Sequence, residues 1–164
     1  LRRLAVNPVP CTGCLSCEAA CALARSGAQD RRESALRVAL DPFGGAHSHI
    51  FCRHCDDAPC ASVCPTGALA RDAATGALVI GEESCLRCGL CADACPFGAI
   101  ALRGERIPSK CDLCGGQPRC VAACAFGVLR YLGDGDPSAG FVGMPSGEQD
   151  PGLGRGPAGT GGSD

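Results

Sequence analysis

Residues 85–96 read CLRCGLCADACP, four cysteines at spacings of two, two and three residues with a proline directly after the last. The pattern recurs along the chain. Cys11, Cys14, Cys17 and Cys21 form a first group, Cys52, Cys55, Cys60 and Cys64 a second, Cys85, Cys88, Cys91 and Cys95 a third, and Cys111, Cys114, Cys120 and Cys124 a fourth. Every group opens with C-x-x-C and closes with C-x-x-x-C, and only the middle gap changes, at two, four, two and five residues. An internal repeat that takes up all sixteen cysteines of a 164-residue chain defines its architecture.

Three chemistries compete for these thiols. A disulfide scaffold is allowed by the even count. However, the opening LRRLAVNPVP has two arginines and none of the apolar stretch that makes a secretory or twin-arginine signal. The thiols are also so local that each group would close tight loops or pair arbitrarily. A zinc scaffold, the second alternative, usually takes two C-x-x-C pairs far apart, whereas these groups are contiguous. The third reading, iron–sulfur clusters, suits the spacing best. C-x-x-C-x-x-C wraps the backbone around a cubane so that three thiolates reach three iron corners, and the fourth cysteine, one helical turn on, serves the other cluster of a pair. Groups must then come in pairs, and sixteen thiols make four [4Fe–4S] sites with none left over. Gly89 stands where a left-handed residue eases the wrap. Pro65 and Pro96 end the helical turn after the fourth cysteine of groups two and three. Ala22 and Ala125 replace them in groups one and four; the helix of group one simply runs on, but the residue type of Ala125 offers no account.

Composition agrees. Hydrophobic residues reach 46%, but aromatics are 4% and Trp is absent, so large side chains bury little apolar area. Clusters filling the centre would supply the missing cohesion, and the chain without them is expected to be unfolded or molten. A formal net charge of −2 and no Lys/Arg run longer than a pair argue against nucleic acid. No run of 18 apolar residues is present, so no membrane span is expected, and the expected compartment is cytoplasmic. There is no Walker loop, no G-x-G-x-x-G after a strand and no Ser/His/Asp arrangement. The chain reads as an electron carrier without an active site of its own.

Between the cysteine groups, Ala35–Leu40, Ala77–Ile80, Ala99–Arg103 and Val128–Leu132 read as short strands, with a hairpin across Asp72–Gly76. Glu18–Arg25 reads as a helix, and short helical turns are expected near Cys60–Cys64, Gly89–Cys95 and Arg119–Cys124. From residue 133 to 164 the chain turns rich in Gly, Pro, Ser and Asp and reads as a disordered tail.

CRHCDDAPCASVCPTGAL (52–69) and KCDLCGGQPRCVAAC (110–124) resemble the four-cluster, sixteen-cysteine ferredoxin-like subunits of multisubunit oxidoreductases. These comprise the electron-transfer beta subunits of the dimethyl sulfoxide reductase family and the small subunits of hydrogenase, carbon monoxide dehydrogenase and tungsten aldehyde oxidoreductase systems. The resemblance runs from about Cys11 to Leu132. It implies an α+β fold of two nested bacterial-ferredoxin-like modules, with short strands and short helices around four clusters. Residues 1–132 would form that domain, with the inner module at about 50–104 and the outer at about 8–30 plus 105–132. It implies crossed ligand sets: Cys11, Cys14, Cys17 with Cys124; Cys111, Cys114, Cys120 with Cys21; Cys52, Cys55, Cys60 with Cys95; and Cys85, Cys88, Cys91 with Cys64. The implied partner is a catalytic oxidoreductase subunit, with a second redox subunit or ferredoxin beyond it. The short length favours the compact members, and KCDLCGG tilts toward tungsten aldehyde oxidoreductase. A free polyferredoxin shuttle and a zinc-binding structural protein remain the alternatives.

Lys110, Arg53 and Arg87 stand beside or inside C-x-x-C loops and could raise a local potential, but read as solvated surface charges. His54, beside Cys55, reads as structural or surface rather than a ligand, and His47 and His49 as loop or strand residues. Asp56–Asp57 and Glu82–Glu83 read as solvated loop charges.

Overall fold

The computed structural model describes residues 2–43, 46–104, 106–133, 135–137 and 141. The tail expected from 133 to 164 therefore lies almost wholly outside the described residues. The fold is α+β; among the described residues it has four separate two-stranded antiparallel ladders, four α-helices and two short 3-10 turns, Arg31–Glu33 and Leu113–Gly116. In chain order these are β1 (Arg3–Val6), α1 (Ser16–Ser26), β2 (Arg37–Ala39), β3 (Ser48–Ile50), α2 (Pro59–Ser62), β4 (Leu69–Arg71), β5 (Leu78–Ile80), α3 (Leu90–Asp93), β6 (Ala101–Arg103), β7 (Arg106–Ser109), α4 (Arg119–Ala122) and β8 (Leu129–Leu132).

α1 is the one long helix. Its sequence, SCEAACALARS, is mostly good helix formers. Glu18, Cys21 and Ala22 are buried on one face at the i, i+3, i+4 spacing, and the helix ends where the Gly27 N–H bonds the Leu23 carbonyl at 2.9 Å. α2, α3 and α4 are single turns, each spanning the third cysteine of its group. All three are followed by the same tight turn, in which Gly67, Gly98 and Gly127 donate to the carbonyls of Cys64, Cys95 and Cys124 at 3.3, 3.2 and 3.3 Å. Ala125 thus sits in the turn that Pro65 and Pro96 occupy, and the turn's own hydrogen bond makes the proline dispensable there.

β2–β3, β4–β5 and β6–β7 are sequence neighbours; β4 and β5 are joined through the expected turn at 72–76, where the Gly76 N–H bonds the Asp72 carbonyl. The fourth ladder was not legible. Arg3 pairs with Leu132 and Val6 with Leu129, so the first strand closes against the last. β1 is buried along its whole length; RLAV carries no polar–apolar alternation, and its partner lies more than 120 residues away, which is why local pattern did not reveal it.

This closure positions the thiols. β1 lies against β8 and α1 packs on α4, drawing groups one and four together. α2 packs on α3 and on β4, drawing groups two and three together. Leu4, Val6, Leu36, Phe51, Leu113, Val128 and Leu129 form one apolar cluster with Cys120, against which Cys11, Cys17, Cys111 and Cys124 pack. Leu69, Leu78 and Ile100 form a second with Cys60 and Cys91, against which Cys64 and Cys95 pack.

Candidate metal centres

All sixteen cysteines are free thiols, and they gather in sets that cross the sequence groups. Cys11, Cys14, Cys17 and Cys124 line one cavity, together with Val38, His49 and Phe126. Cys52, Cys55, Cys60 and Cys95 line a second, together with Arg53, His54, Phe97 and Lys110. Cys64, Cys85, Cys88 and Cys91 line a third, together with Leu86, Arg87 and Leu90. Each has roughly 310–350 Å³ of atom-free space, part of it open to solvent. The remaining four, Cys21, Cys111, Cys114 and Cys120, influence one another electrostatically: Cys120 feels Cys111, Cys21 and Cys114, and Cys114 and Cys111 each feel Cys21. Neighbouring sets adjoin in the same way, Cys17 with Cys120 and Cys52 with Cys111, while Cys60 and Cys91 share one apolar cluster.

The backbone repeats along with the cysteines. The residue before the second cysteine has a left-handed backbone in all four groups: Gly13, His54, Arg87 and Leu113, with φ of 68°, 49°, 57° and 58°. The residue two before the third cysteine does so in three of them: Leu15, Ala58 and Gly89, at 62°, 38° and 82°. In the fourth group Pro118 holds that place at φ −58°, and the chain turns earlier, at Cys114, Gly115 and Gly116. Six of these residues are not glycine, and at about 1–2 kcal/mol each the strain is on the order of 10 kcal/mol, comparable with the whole stability of an ordinary domain. The residue types alone flag only the glycines. The gain from such a backbone is visible at His54, whose N–H meets the Cys52 sulfur at 3.4 Å. The Ala35 and Ala99 N–H groups meet Cys21 and Cys95 at the same distance.

Burial raises many of the thiols. Cys17 is pushed up to about 11 and Cys111 to about 12, and Cys120 is raised further, in each case chiefly by loss of solvent and also by neighbouring thiols. Cys14 goes the other way, lowered by the N–H and hydroxyl of Ser16. Grouped thiols that burial holds neutral become anionic only where a positive centre takes the place of their protons. Among the described residues no three His, Cys, Asp or Glu side chains converge on a point that could hold a single metal ion. The donor set, four thiols around each cavity with no imidazole or carboxylate ligand needed to complete it, fits an iron–sulfur cage.

Several side chains depart from the sequence reading. Lys110 is not a solvated charge: it is 4% exposed, and its Nζ donates to the Cys52 sulfur at 3.0 Å and to the Leu78 carbonyl at 2.5 Å. Arg53 is half-buried, with its guanidinium 4.8 Å from the ring centres of both Phe51 and Phe97, a placement that long-range packing decides. Asp56 is exposed but ion-paired, accepting from Arg3 at 2.5 Å. Arg87, Asp57, Glu82 and Glu83 are exposed, as the sequence reading has them. His54 is structural and buried: its Nδ1 accepts the Leu78 N–H at 2.9 Å, and burial, then Lys110, Arg71 and Arg3, pushes its pKa down to about 3. His47 accepts the Asp41 N–H through Nδ1 at 3.1 Å, and His49 is buried in β3. Glu18, read only as a helix former, is a buried carboxylate. It takes the Arg31 Nε at 2.6 Å and the Val38 N–H at 2.6 Å, tying α1 to β2 beside Cys17. A carboxylate on the buried face of α1 was the available signal.

Comparison with known proteins agrees with this donor chemistry. Residues 47–134 match the 4Fe-4S dicluster domain family, a stretch that contains twelve of the sixteen cysteines. The chain is 42% identical, over 73% of its length and 69% of the relative's, to the polyferredoxin-like subunit of aliphatic sulfonate oxidoreductase from Pyrococcus furiosus. It is 35% identical to the electron transport protein HydN of Escherichia coli, covering 73% of this chain and 81% of that protein. With subunit beta of the NADH-dependent phenylglyoxylate dehydrogenase of Aromatoleum evansii it shares 37% identity over 79% of this chain but only 30% of that longer subunit. No helix among the described residues is long and apolar enough to cross a membrane. Thiols gathered in fours, a family match over more than half of the chain and two relatives matched over most of their length lead to one conclusion: the chain belongs to the 4Fe-4S dicluster domain family of ferredoxin-like electron-transport proteins.

Proposed function

We propose that this chain is the electron-transfer subunit of an oxidoreductase complex and binds four [4Fe–4S] clusters. The ligand sets would be Cys11, Cys14, Cys17 and Cys124; Cys21, Cys111, Cys114 and Cys120; Cys52, Cys55, Cys60 and Cys95; and Cys64, Cys85, Cys88 and Cys91. The observation that carries this reading is the gathering of thiols from two sequence groups around each of three cavities, with the fourth set adjoining. Groups one and four would thus make an outer module and groups two and three an inner one. Bound clusters supply one-electron redox chemistry at potentials set by hydrogen bonds to sulfur, solvent access and charge.

The residues of the chain do the rest. The left-handed loops aim N–H groups at the sulfurs, the small side chains let neighbouring sets adjoin, and the apolar clusters limit water. The partner would be a catalytic subunit that brings substrate chemistry, such as a tungsten or molybdenum pterin enzyme of the aldehyde oxidoreductase kind, with a ferredoxin or second redox subunit as the other contact. Two observations favour a bound subunit over a free shuttle. The relatives from Pyrococcus furiosus and Aromatoleum evansii are named as oxidoreductase subunits. Leu86 and Leu90 also stand exposed on the rim of the Cys64, Cys85, Cys88 and Cys91 cavity, with exposed Leu102 lying over Gly89, an apolar surface beside an end set.

Anaerobic purification tests the reading. Sixteen iron and sixteen acid-labile sulfide per chain, with a stoichiometric catalytic partner, are expected, since four cages of four iron each are proposed. A full iron content without a stable partner would leave the shuttle; zinc without sulfide would end the redox reading.

A further inference from the structure

We propose that the set of Cys52, Cys55, Cys60 and Cys95 holds the cluster of highest reduction potential in this chain, and that Lys110 sets it there. The inference rests on the reading that each thiol set binds a [4Fe–4S] cluster.

One-electron reduction makes and breaks no bond and needs no proton; it takes a four-thiolate site from a formal charge of about −2 to about −3. A fixed cation in contact with such a site therefore favours the reduced state, and a buried cation does so most, because water and salt screen it least. Lys110 meets both conditions. It is 4% exposed, and its Nζ is held between the Cys52 sulfur at 3.0 Å and the Leu78 carbonyl at 2.5 Å. The same cavity is lined by His54, 1% exposed. Its Nδ1 is occupied by the Leu78 N–H, so in the neutral ring Nε2 carries the proton, and this atom is buried without a hydrogen-bond partner in the protein. A second donor thus borders the site. The Arg53 guanidinium, stacked between Phe51 and Phe97, adds a second positive group to the lining.

The other sets lack this arrangement. The cavity of Cys64, Cys85, Cys88 and Cys91 has Arg87, which is exposed and screened by water. Beside Cys17 lies the buried Glu18 carboxylate, whose charge opposes reduction, although Arg31 partly offsets it. Near Cys114, Arg25 is matched by Asp112 at 3.8 Å. Lys110 also precedes Cys111, but the atom it contacts is the Cys52 sulfur. An electron entering the chain from either end would therefore settle first at the Cys52 set, an interior one-electron store between the end sets.

The experiment is an anaerobic dithionite titration of the full, cluster-loaded chain, followed by electron paramagnetic resonance, on wild type, K110M and K110R. In K110M the centre that is reduced first in wild type should be harder to reduce by at least tenfold in its equilibrium constant, about 59 mV for one electron, with a smaller shift at the adjoining centre that holds Cys111 and none at the two end centres; K110R should keep the wild-type order. An unmoved first centre in K110M, a shift confined to a later centre, or an equal shift in K110R would overturn the proposal. Should K110M lose iron, K110Q, which keeps a donor for Cys52, takes its place in the same comparison. Loss of the same cluster from K110Q as well would make Lys110 a structural residue and also overturn the proposal. Wild-type protein without reducible iron centres would instead sink the cluster reading itself.

Discussion

Glu18 offers a sharp test of how the chain is held around its thiols. The carboxylate is buried next to Cys17 and accepts two hydrogen bonds at 2.6 Å, one from the Val38 N–H of β2 and one from the Arg31 Nε. Both partners are donors. A glutamine in its place has one acceptor oxygen and an NH2 group, so turning the oxygen to Val38 presents donors to Arg31. The Arg31 side chain is half exposed and can turn to water, so the favoured arrangement keeps the Val38 bond but as a neutral one. Replacing a charged hydrogen bond by a neutral one loses about 1–2 kcal/mol. Glu18→Ala leaves the Val38 N–H buried and unpaired and loses about 3 kcal/mol. Native-state hydrogen exchange of the peptide holding Val38, read by mass spectrometry on anaerobic holo protein, measures this directly, because it needs no reversible unfolding. Protection should fall about tenfold in E18Q and about a hundredfold in E18A. Protection in E18A within twofold of wild type would refute the claim that Glu18 holds β2 to α1.

Two further perturbations probe the thiol sets and their backbone. Cys95→Ser should damage the centre that Lys110 borders and leave the one shared by Cys85, Cys88 and Cys91, and Cys64→Ser should do the reverse; loss of the centre of the mutated residue's own sequence group, seen by electron paramagnetic resonance, would show that ligation is not crossed. Gly13→Ala and Gly98→Ala both force a side chain into the left-handed region, at about 1–2 kcal/mol. A Cβ at Gly13 would also come within 2.7 Å of the His47 Nε2 and 2.8 Å of the Leu40 Cδ2, whereas one at Gly98 meets open space. Iron should therefore leave G13A for a chelator faster than it leaves G98A, and equal release rates would contradict the packing at Gly13.

The sequence by itself determined the chemistry and the local pieces. The kind and number of donor thiols, the C-x-x-C and C-x-x-x-C spacings, the helix that runs through Cys21 and the short turns around Cys60, Cys91 and Cys120 are all set within a few residues of chain, where spacing and propensity act directly. The tertiary structure alone decided what those pieces meet. The pairing of Arg3–Val6 with Leu129–Leu132, the burial of Lys110 against Cys52, the packing of Arg53 on Phe97 and the double role of Glu18 all join residues far apart in sequence. The left-handed backbones of His54, Arg87 and Leu113 belong there too, because an ordinary residue accepts that conformation only where the surrounding fold repays the strain. A solvated lysine and a buried one look alike in a sequence; the difference lies in the desolvation and Coulomb energies of a site that exists only once distant strands have closed around it.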